Sequence, residues 1–263
     1  MFETTSIDTP RPRRSRRRGI VSLLVAGAVL LGALSTAQAA LTTGGCLAQK
    51  RMAWAGLRKC QGTEEAKQLQ GKTGDLAKCQ TKFDDTLTKI SEKAAASSVA
   101  CRYGDNEDGT VTDYDTGLQW EQKTDDSTVH DKDNSYTWTL SISQPDGTAF
   151  TAFLGTLNNG TSYGYDVGSP TSGCFAGHCD WRLPAIAELK GIVDLTQGNC
   201  GGGAGPCIDQ AVFGPTVANL YWSASTRLVD STSAWAVNFP TSSFLSYDYK
   251  WDALYVRGVR SAL

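Results

Sequence analysis

All eight cysteines of this 263-residue chain lie at or after Cys46, behind an N-terminal segment that is typical of an export signal. That segment carries six arginines before residue 19, then an apolar run over residues 20–34, then small residues at Ala37 and Ala39 ahead of a predicted cleavage. An even number of cysteines in an exported chain favours disulfides over free thiols or metal ligands. We therefore expect four disulfides in a mature chain that is periplasmic, displayed at the cell surface or secreted.

The distribution of charge divides the chain that follows the signal, residues 1–39. Residues 40–101 hold ten basic and six acidic side chains, a net charge of +4. Residues 102–263 hold nine basic and 19 acidic side chains, a net charge of −10. Opposite signs favour two modules with these boundaries. The apolar run of the signal is the longest in the chain and is short for a bilayer, so no membrane span is expected in the mature chain. No nucleic-acid partner is expected either.

The first module is predicted to be an α-helical hairpin whose turn is "GKTGD". Cys46 and Cys60 stand fourteen residues apart on the first helix, about 21 Å at the helical rise, so they cannot bond each other. Nested disulfides Cys46–Cys101 and Cys60–Cys79 fit an antiparallel pair. Apolar residues at helical spacing support the two helices: Leu47, Trp54 and Leu57 in the first, and Leu76, Cys79, Phe83, Leu87, Ile90 and Ala94 in the second.

The second module opens with "DNEDGTVTDYDTGLQWEQ", which has some of the spacing of a calcium loop. Aligning Gly109 with the loop's invariant glycine, however, puts Gly104 where the first carboxylate ligand belongs. Two turn signals flank Thr110–Asp113 and Leu118–Glu121, so a β-hairpin is predicted instead. No cofactor or metal centre is expected, and a weakly bound surface calcium remains the alternative.

Two short helices and a sheet are predicted for the rest of this module. Phe150, Phe153, Leu154 and Leu157 give one amphipathic helix that ends at Gly160. A second helix is predicted over residues 185–194, directly after a proline. Four aromatic and β-branched runs predict an antiparallel sheet; they cover residues 220–226, 233–239, 243–250 and 253–260.

Five segments carry a family resemblance: "TDYDTGLQW", "CDWRLPAIAELKGIVD", "CIDQAVFGPT", "YWSAS" and "YVRGVR", in that order. Together they resemble the Lcl C-terminal domain family over about residues 102–263. The resemblance implies an α+β fold of C-type lectin-like architecture, with two helices and a terminal strand on a twisted antiparallel sheet. It also implies an exported recognition module.

The family takes its name from a bacterial collagen-like adhesin whose domain is associated with sulfated glycosaminoglycans and a trimeric assembly. This chain has no Gly-X-Y repeats that would wind a collagen stalk. Its matching domain is also strongly acidic, which repels a polyanion at long range. The resemblance is therefore carried over for the fold rather than for the ligand or the trimer.

The segment "GHCDWRLPAIAELKGIVD" places His178 beside Cys179, a pair that could serve as base and nucleophile. Oxidation is the usual state of an exported cysteine, so local disulfides Cys174–Cys179 and Cys200–Cys207 are favoured over catalysis and over a zinc site. The start of the following helix is expected to be fixed by Asp180, Trp181 and Arg182. The Trp181 ring is expected to be buried, and the Arg182 guanidinium to pair with a carboxylate or with strand carbonyls.

The aromatic residues of the final strands are expected to be mostly core, with one or two at loop tips free to stack on a sugar. Trp251, between Lys250 and Asp252, is the strongest candidate, and Tyr249 and Arg257 complete the predicted binding set with Lys250. Some basic residues of these strands are expected to pair with carboxylates such as Asp248 and Asp252; the basic residues are Arg227, Lys250, Arg257 and Arg260.

Three functions of different classes are compatible with these patterns. The leading prediction is a non-catalytic binding or adhesion module of the bacterial cell envelope that recognises a glycan or a cell-surface protein. The first alternative is a structural or assembly component of the envelope with no small ligand. The second is an enzyme similar to the sulfatase-modifying relatives of the same architecture, which would need reactive thiols.

Overall fold

The computed structural model describes residues 41–141, 144–159, 173–198, 200–202, 205–241 and 245–262. The predicted signal over residues 1–39 and the predicted helix stop at Gly160 lie outside these ranges. Ala40–Leu263 form one compact unit. Within the described ranges, no helix has the length and apolar character needed to cross a membrane.

The first two helices form the predicted hairpin, with α1 at Thr43–Leu69 and α2 at Leu76–Ala96. Both begin at a capping side chain: Thr42 accepts a hydrogen bond from the amide of Gly45, and Asp75 accepts one from the amide of Lys78. The helices pack through Leu57, Cys79 and Phe83, with the Trp54 ring against Phe83 at 4.4 Å between centroids. So short a hairpin buries little core, which is why covalent links matter here.

Disulfides Cys46–Cys101 and Cys60–Cys79 link the hairpin as predicted. The other two predicted pairs, Cys174–Cys179 and Cys200–Cys207, are also formed. All eight cysteines of the chain are therefore oxidised in pairs, and none is a free thiol.

The helical hairpin packs on the turn between two strands of the next segment. Lys50, which is 2% exposed, forms an ion pair with Asp115, and the Trp54 indole donates to the carbonyl of Tyr114 at 3.0 Å. Gly117 lies under the Trp54 ring with a φ of +72°, and a Cβ there would stand 2.5 Å from the ring. The glycine is thus required both by its backbone conformation and by the close approach of the indole.

One antiparallel sheet of four strands follows: β1 at Tyr103–Asp105, β2 at Thr110–Asp113, β3 at Leu118–Glu121 and, from the end of the chain, β9 at Val259–Ser261. The spatial order is β1-β2-β3-β9. Strands β2 and β3 pair from Thr110 opposite Glu121 to Asp113 opposite Leu118. The predicted β-hairpin is confirmed.

A second sheet has the order β4-β8-β5-β6-β7. Its strands are β4 at Ser135–Thr137, β5 at Leu220–Arg227, β6 at Asp230–Asn238, β7 at Leu245–Tyr249 and β8 at Ala253–Tyr255. All its pairings are antiparallel except that of β5 with β8, which is parallel. The prediction of a purely antiparallel sheet was therefore wrong at this one pairing.

The last predicted strand, residues 253–260, was also wrong, because the chain leaves one sheet after Tyr255 and joins the other at Val259. The crossing is fixed by Arg257, whose side chain is fully buried and donates to the carbonyls of Glu121 and Phe213 at 2.7 Å each. The amide of Gly258 donates to the Glu121 carboxylate. A strand that continued straight would leave these groups without partners.

Three short helical segments cover the sheets. A π-helical turn at Ala149–Phe153 continues into α3 at Leu154–Asn159, and α5 is a single turn at Gln210–Phe213. Helix α4 spans Ile186–Lys190 and is shorter than the predicted 185–194. It ends there because the chain turns away to the loop of the last disulfide, where the amide of Asp194 donates to the carbonyl of Cys207 at 2.8 Å.

Candidate functional site: an exposed aromatic surface

Strand β7 is the edge of the five-stranded sheet and carries an apolar face toward solvent. Its exposure alternates along the strand, so Leu245, Tyr247 and Tyr249 project to one side at 46%, 49% and 50% exposed. Ser246 and Asp248, on the other side, are half-buried. Large aromatic side chains left half-exposed in a row on an edge strand are a feature that solubility alone does not explain.

The row continues past the end of β7 through Trp251, which is 50% exposed. The Tyr249 and Trp251 rings are stacked, with centroids 4.6 Å apart and planes 7° from parallel. Lys250 lies between them and points inward, so that its two neighbours project together.

The inward direction of Lys250 is fixed by both its side chain and its backbone. The ammonium donates to the Thr226 hydroxyl at 2.9 Å and lies 4.0 Å from the centroid of the Trp138 ring. The backbone amide donates to Thr232, and the carbonyl accepts from Trp138 and Thr139. This anchoring holds the stacked pair in place, so a ligand that packed on it would pay a smaller entropy cost.

Two further residues extend the surface along β7. The Trp235 ring meets the Tyr247 ring edge-on at 6.0 Å, and the Arg227 guanidinium lies 3.8 Å from the Tyr247 centroid. Among the described residues Arg227 has no carboxylate within ion-pair distance. We refer to the group as the aromatic surface; its members are Arg227, Trp235, Tyr247, Tyr249 and Trp251.

An acidic pair lies on the reverse side of the same strand and turn. Burial raises the pKa of the Asp252 carboxyl, and the hydrogen bond with Asp248 and the charge of Asp248 raise it further. The expected pairing of a basic residue in the last strands with a carboxylate is confirmed for Arg260, but its partner is Asp180 at 2.7 Å; Arg260 also donates to Gln119 at 2.6 Å. Asp248 and Asp252 instead share a hydrogen bond.

The four predicted binding residues separate into two groups. Trp251 and Tyr249 stand side by side on the surface, as a binding role requires. Lys250 and Arg257, at 1% and 0% exposed, are interior, so placing them on a binding surface was wrong. The reason is that each directs its donors into the fold, Lys250 to Thr226 and Arg257 to two carbonyls and the Thr216 hydroxyl.

A buried charged centre at Glu121 was not predicted. Its carboxylate accepts from the Lys123 ammonium at 2.9 Å, from His130 Nδ1 at 2.8 Å and from the amide of Gly258 at 2.9 Å. Burial alone would raise the pKa of Glu121, but the charge of Lys123 and the bond from His130 outweigh it and lower that pKa to about 2. The centre joins β3, the following loop and the crossing at Gly258, and so fixes the path of the chain.

In the segment around His178, Trp181 and Arg182 have the structural roles predicted for them, whereas Asp180 bonds Arg260 and not the start of α4. The Trp181 ring is 3% exposed and its indole donates to the carbonyl of Phe175 at 3.0 Å. Arg182 binds both oxygens of Glu188, at 2.6 and 2.7 Å, and Glu188 also accepts from the amide of Ala185 at the start of α4. The bidentate pair and the capping bond hold the helix start in place.

Three carboxylates, Asp125, Asp131 and Asp133, lie with ligand atoms within 4.8 Å of one another. Each has partners in the protein. Asp131 accepts from the amides of Asp126, Ser127 and Asp133, and the Lys132 ammonium lies within 3.0 Å of Asp125 and 2.7 Å of Asp133. A cation among these carboxylates would have to displace the lysine, so the cluster is accounted for by a turn and its ion pairs.

The fold and this surface define an α+β protein with four disulfides that presents stacked aromatic rings to solvent. The family model of the Lcl C-terminal domain matches residues 109–260, more than half of the chain. The chain belongs to the Lcl C-terminal domain family, as the resemblance predicted. A search of curated proteins and a search of solved structures each found no match to the chain. The C-type lectin-like architecture stays a prediction.

Proposed function

We propose that the chain is an exported, non-catalytic binding protein that recognises a glycan through the aromatic surface. The observation that carries this proposal is the stacked pair Tyr249 and Trp251, each half-exposed and held in place by the buried Lys250 between them. The flat apolar face of a sugar ring packs against an aromatic ring, while its hydroxyls stay in water or bond to nearby polar groups. The two rings are stacked in parallel planes, so a sugar would pack on an outer face of the stack and would need no deep pocket.

The composition of the aromatic surface supports a neutral or weakly charged glycan. Its one cation is Arg227, which the Tyr247 ring already contacts. The acidic pair Asp248 and Asp252 lies close behind it, and the domain has a net charge of −10 over residues 102–263. Repulsion at long range therefore opposes a polyanion, whereas a neutral sugar is unaffected.

The oxidation state of the cysteines supports a binding role over thiol chemistry. The enzyme alternative requires a reactive thiol, and Cys174 and Cys179, the pair next to His178, are joined in a disulfide. Four disulfides also support an extracellular or periplasmic location. Titration of free thiols in the unfolded mature protein is expected to give zero; a count of one or two would return the enzyme to consideration.

The proposal is tested by a glycan array probed with the chain from Ala40 onward, with and without calcium. We expect binding to neutral glycans that survives removal of calcium and is lost in Trp251→Ala. The matched control is Met52→Ala, which removes a side chain that is 65% exposed on α1. Binding that persists in Trp251→Ala, or capture of a surface protein with no glycan bound, would show that the aromatic surface is not a sugar platform.

A further inference from the structure

The hairpin that joins β5 to β6 ends in two exposed aliphatic residues. In the backbone register of the hairpin, Arg227 stands opposite Asp230, so Leu228 and Val229 form its two-residue loop. The side chains of Leu228 and Val229 are 100% and 81% exposed. Tight hairpin loops favour Gly, Asn and Asp because those residues tolerate positive φ, yet neither Leu228 nor Val229 has a positive φ. The geometry of the turn therefore does not explain why both of its residues are apolar. We refer to Leu228 and Val229 as the aliphatic tip.

The aliphatic tip lies at the end of the sheet that also carries the aromatic surface. Arg227, next to the tip, contacts the Tyr247 ring at 3.8 Å, and Thr226 is bonded to Lys250 in the turn that holds Tyr249 and Trp251. Leu140 is 72% exposed and comes directly after Thr139, whose amide donates to the carbonyl of Lys250. One end of the sheet thus combines protruding aliphatic side chains with tyrosine and tryptophan rings.

Beside the tip, Arg227 is half-buried over the Tyr247 ring. Hydrogen bonds from Thr232 and Ser233 lower the pKa of the nearby Asp230 carboxyl, and the charge of Arg227 helps to lower it further. The Asp230 carboxylate is turned back into its own strand, where it accepts from the amide and hydroxyl of Thr232 and from the hydroxyl of Ser233. Arg227 pairs with no carboxylate among the described residues, so its guanidinium has donors left for an external anion. A phosphate beside an apolar layer would complement both features.

We propose that this end of the domain docks on a phospholipid bilayer, with Leu228 and Val229 entering the outer acyl region and Arg227 bonding a lipid phosphate. Tryptophan and tyrosine favour the boundary between hydrocarbon and water, because their rings are apolar while their N–H and O–H groups need polar partners. A sugar would cover the flat rings but would gain little from two aliphatic side chains on a convex tip. This docking uses Arg227 and rings of the aromatic surface, so it overlaps with the surface proposed for glycan recognition.

The test is co-sedimentation of the chain from Ala40 onward with vesicles of phosphatidylcholine, and with vesicles of phosphatidylcholine mixed with phosphatidylglycerol. We expect the protein to bind both. The double variant Leu228→Ser with Val229→Ser is expected to bind at least about tenfold more weakly, because two aliphatic side chains no longer leave water. Arg227→Gln is expected to weaken binding to both kinds of vesicle, because both lipids carry the phosphate that its guanidinium would bond.

The matched control is Leu195→Ser, 55% exposed beyond the opposite end of β6, which is expected to bind like the unmodified chain. Because the tip residues make no core contact, the double variant should keep the thermal midpoint, and circular dichroism verifies this. Absence of vesicle binding by the unmodified chain overturns the proposal, and so does equal binding by the double variant. A change in molecular mass on sedimentation equilibrium, without a change in lipid binding, would instead assign the tip to contact between two copies.

The two proposals fail separately. The vesicles contain no sugar and the glycan array contains no lipid, so each assay reports one partner. The double variant at the tip is expected to keep its glycan binding, whereas Trp251→Ala is expected to lose it.

Discussion

Replacing Glu121 by Gln removes the charge from the buried centre and keeps its shape. In the folded chain the pKa of Glu121 is lowered from 4.5 to about 2, which means that the fold prefers the charged carboxylate. At 1.36 kcal/mol for each pH unit, this preference contributes about 3 kcal/mol to the free energy of unfolding at pH 7. A similar loss is expected when one partner of a buried ion pair is removed, since the Lys123 ammonium is then left without its carboxylate.

The pH dependence gives this prediction a second signature. Because the folded pKa is the lower one, the contribution is complete above the unfolded value of 4.5 and is lost as the pH falls through about 2. The difference in stability between the unmodified chain and Glu121→Gln should therefore shrink from about 3 kcal/mol at pH 7 to about 1 kcal/mol at pH 3. Other carboxylates with lowered pKa, such as Asp146, affect both proteins equally and cancel.

The assay is urea unfolding of both proteins at a series of pH values from 3 to 7, followed by tryptophan fluorescence, with the disulfides intact. Asp85→Asn is a suitable control, because Asp85 is an exposed carboxylate on α2. A difference below about 1 kcal/mol at pH 7, or one that does not change with pH, would refute the assignment of Glu121 as a buried charged centre.

Three further predictions concern the hairpin and the disulfide loops. Gly117→Ala is expected to lower the free energy of unfolding by at least about 2 kcal/mol, because the alanine is strained at a φ of +72° and its Cβ meets the Trp54 ring. A thermal midpoint within about 1 °C of that of the unmodified chain would contradict this prediction. Replacing both Cys60 and Cys79 by Ser should lower the free energy of unfolding by about 3 kcal/mol, because the disulfide closes a loop with a sequence separation of 19. Chemical unfolding measures this, and a loss below about 1 kcal/mol would mean that α1 and α2 stay paired without the disulfide. His178→Ala is expected to change stability by less than about 0.5 kcal/mol and to leave glycan binding intact; lost activity at unchanged stability would favour a catalytic role.

The features that the sequence predicted well depend on local spacing. The disulfide pairs follow from helical rise and short loop lengths, and the β2–β3 hairpin follows from the turn residues on either side of β2. The crossing at Arg257 could not be predicted in this way. Its two carbonyl partners, Glu121 and Phe213, lie 136 and 44 positions away in the chain, and only the packed fold brings them together.

Two members of the aromatic surface, Tyr249 and Trp251, were in the predicted binding set, whereas Arg227, Trp235 and Tyr247 were not. The alternation in "SFLSYDYK" already indicates that Tyr247 and Tyr249 share a face, which the stacked Trp251 extends. Lys250 was placed outside because charged residues are usually exposed. Its inward direction depends on Trp138 and Thr226, which reach it only through the sheet.

The most direct test of the aromatic surface is calorimetric titration of the tightest array glycan into the unmodified chain, Tyr249→Ala, Trp251→Ala and the double variant. If the sugar packs on the stacked pair, each single variant should lose at least about 1.4 kcal/mol of binding free energy, a tenfold change in Kd. The double variant should lose less than the sum of the two, because each ring positions the other. Kd values within twofold of the unmodified chain in all three variants would contradict glycan recognition at this surface.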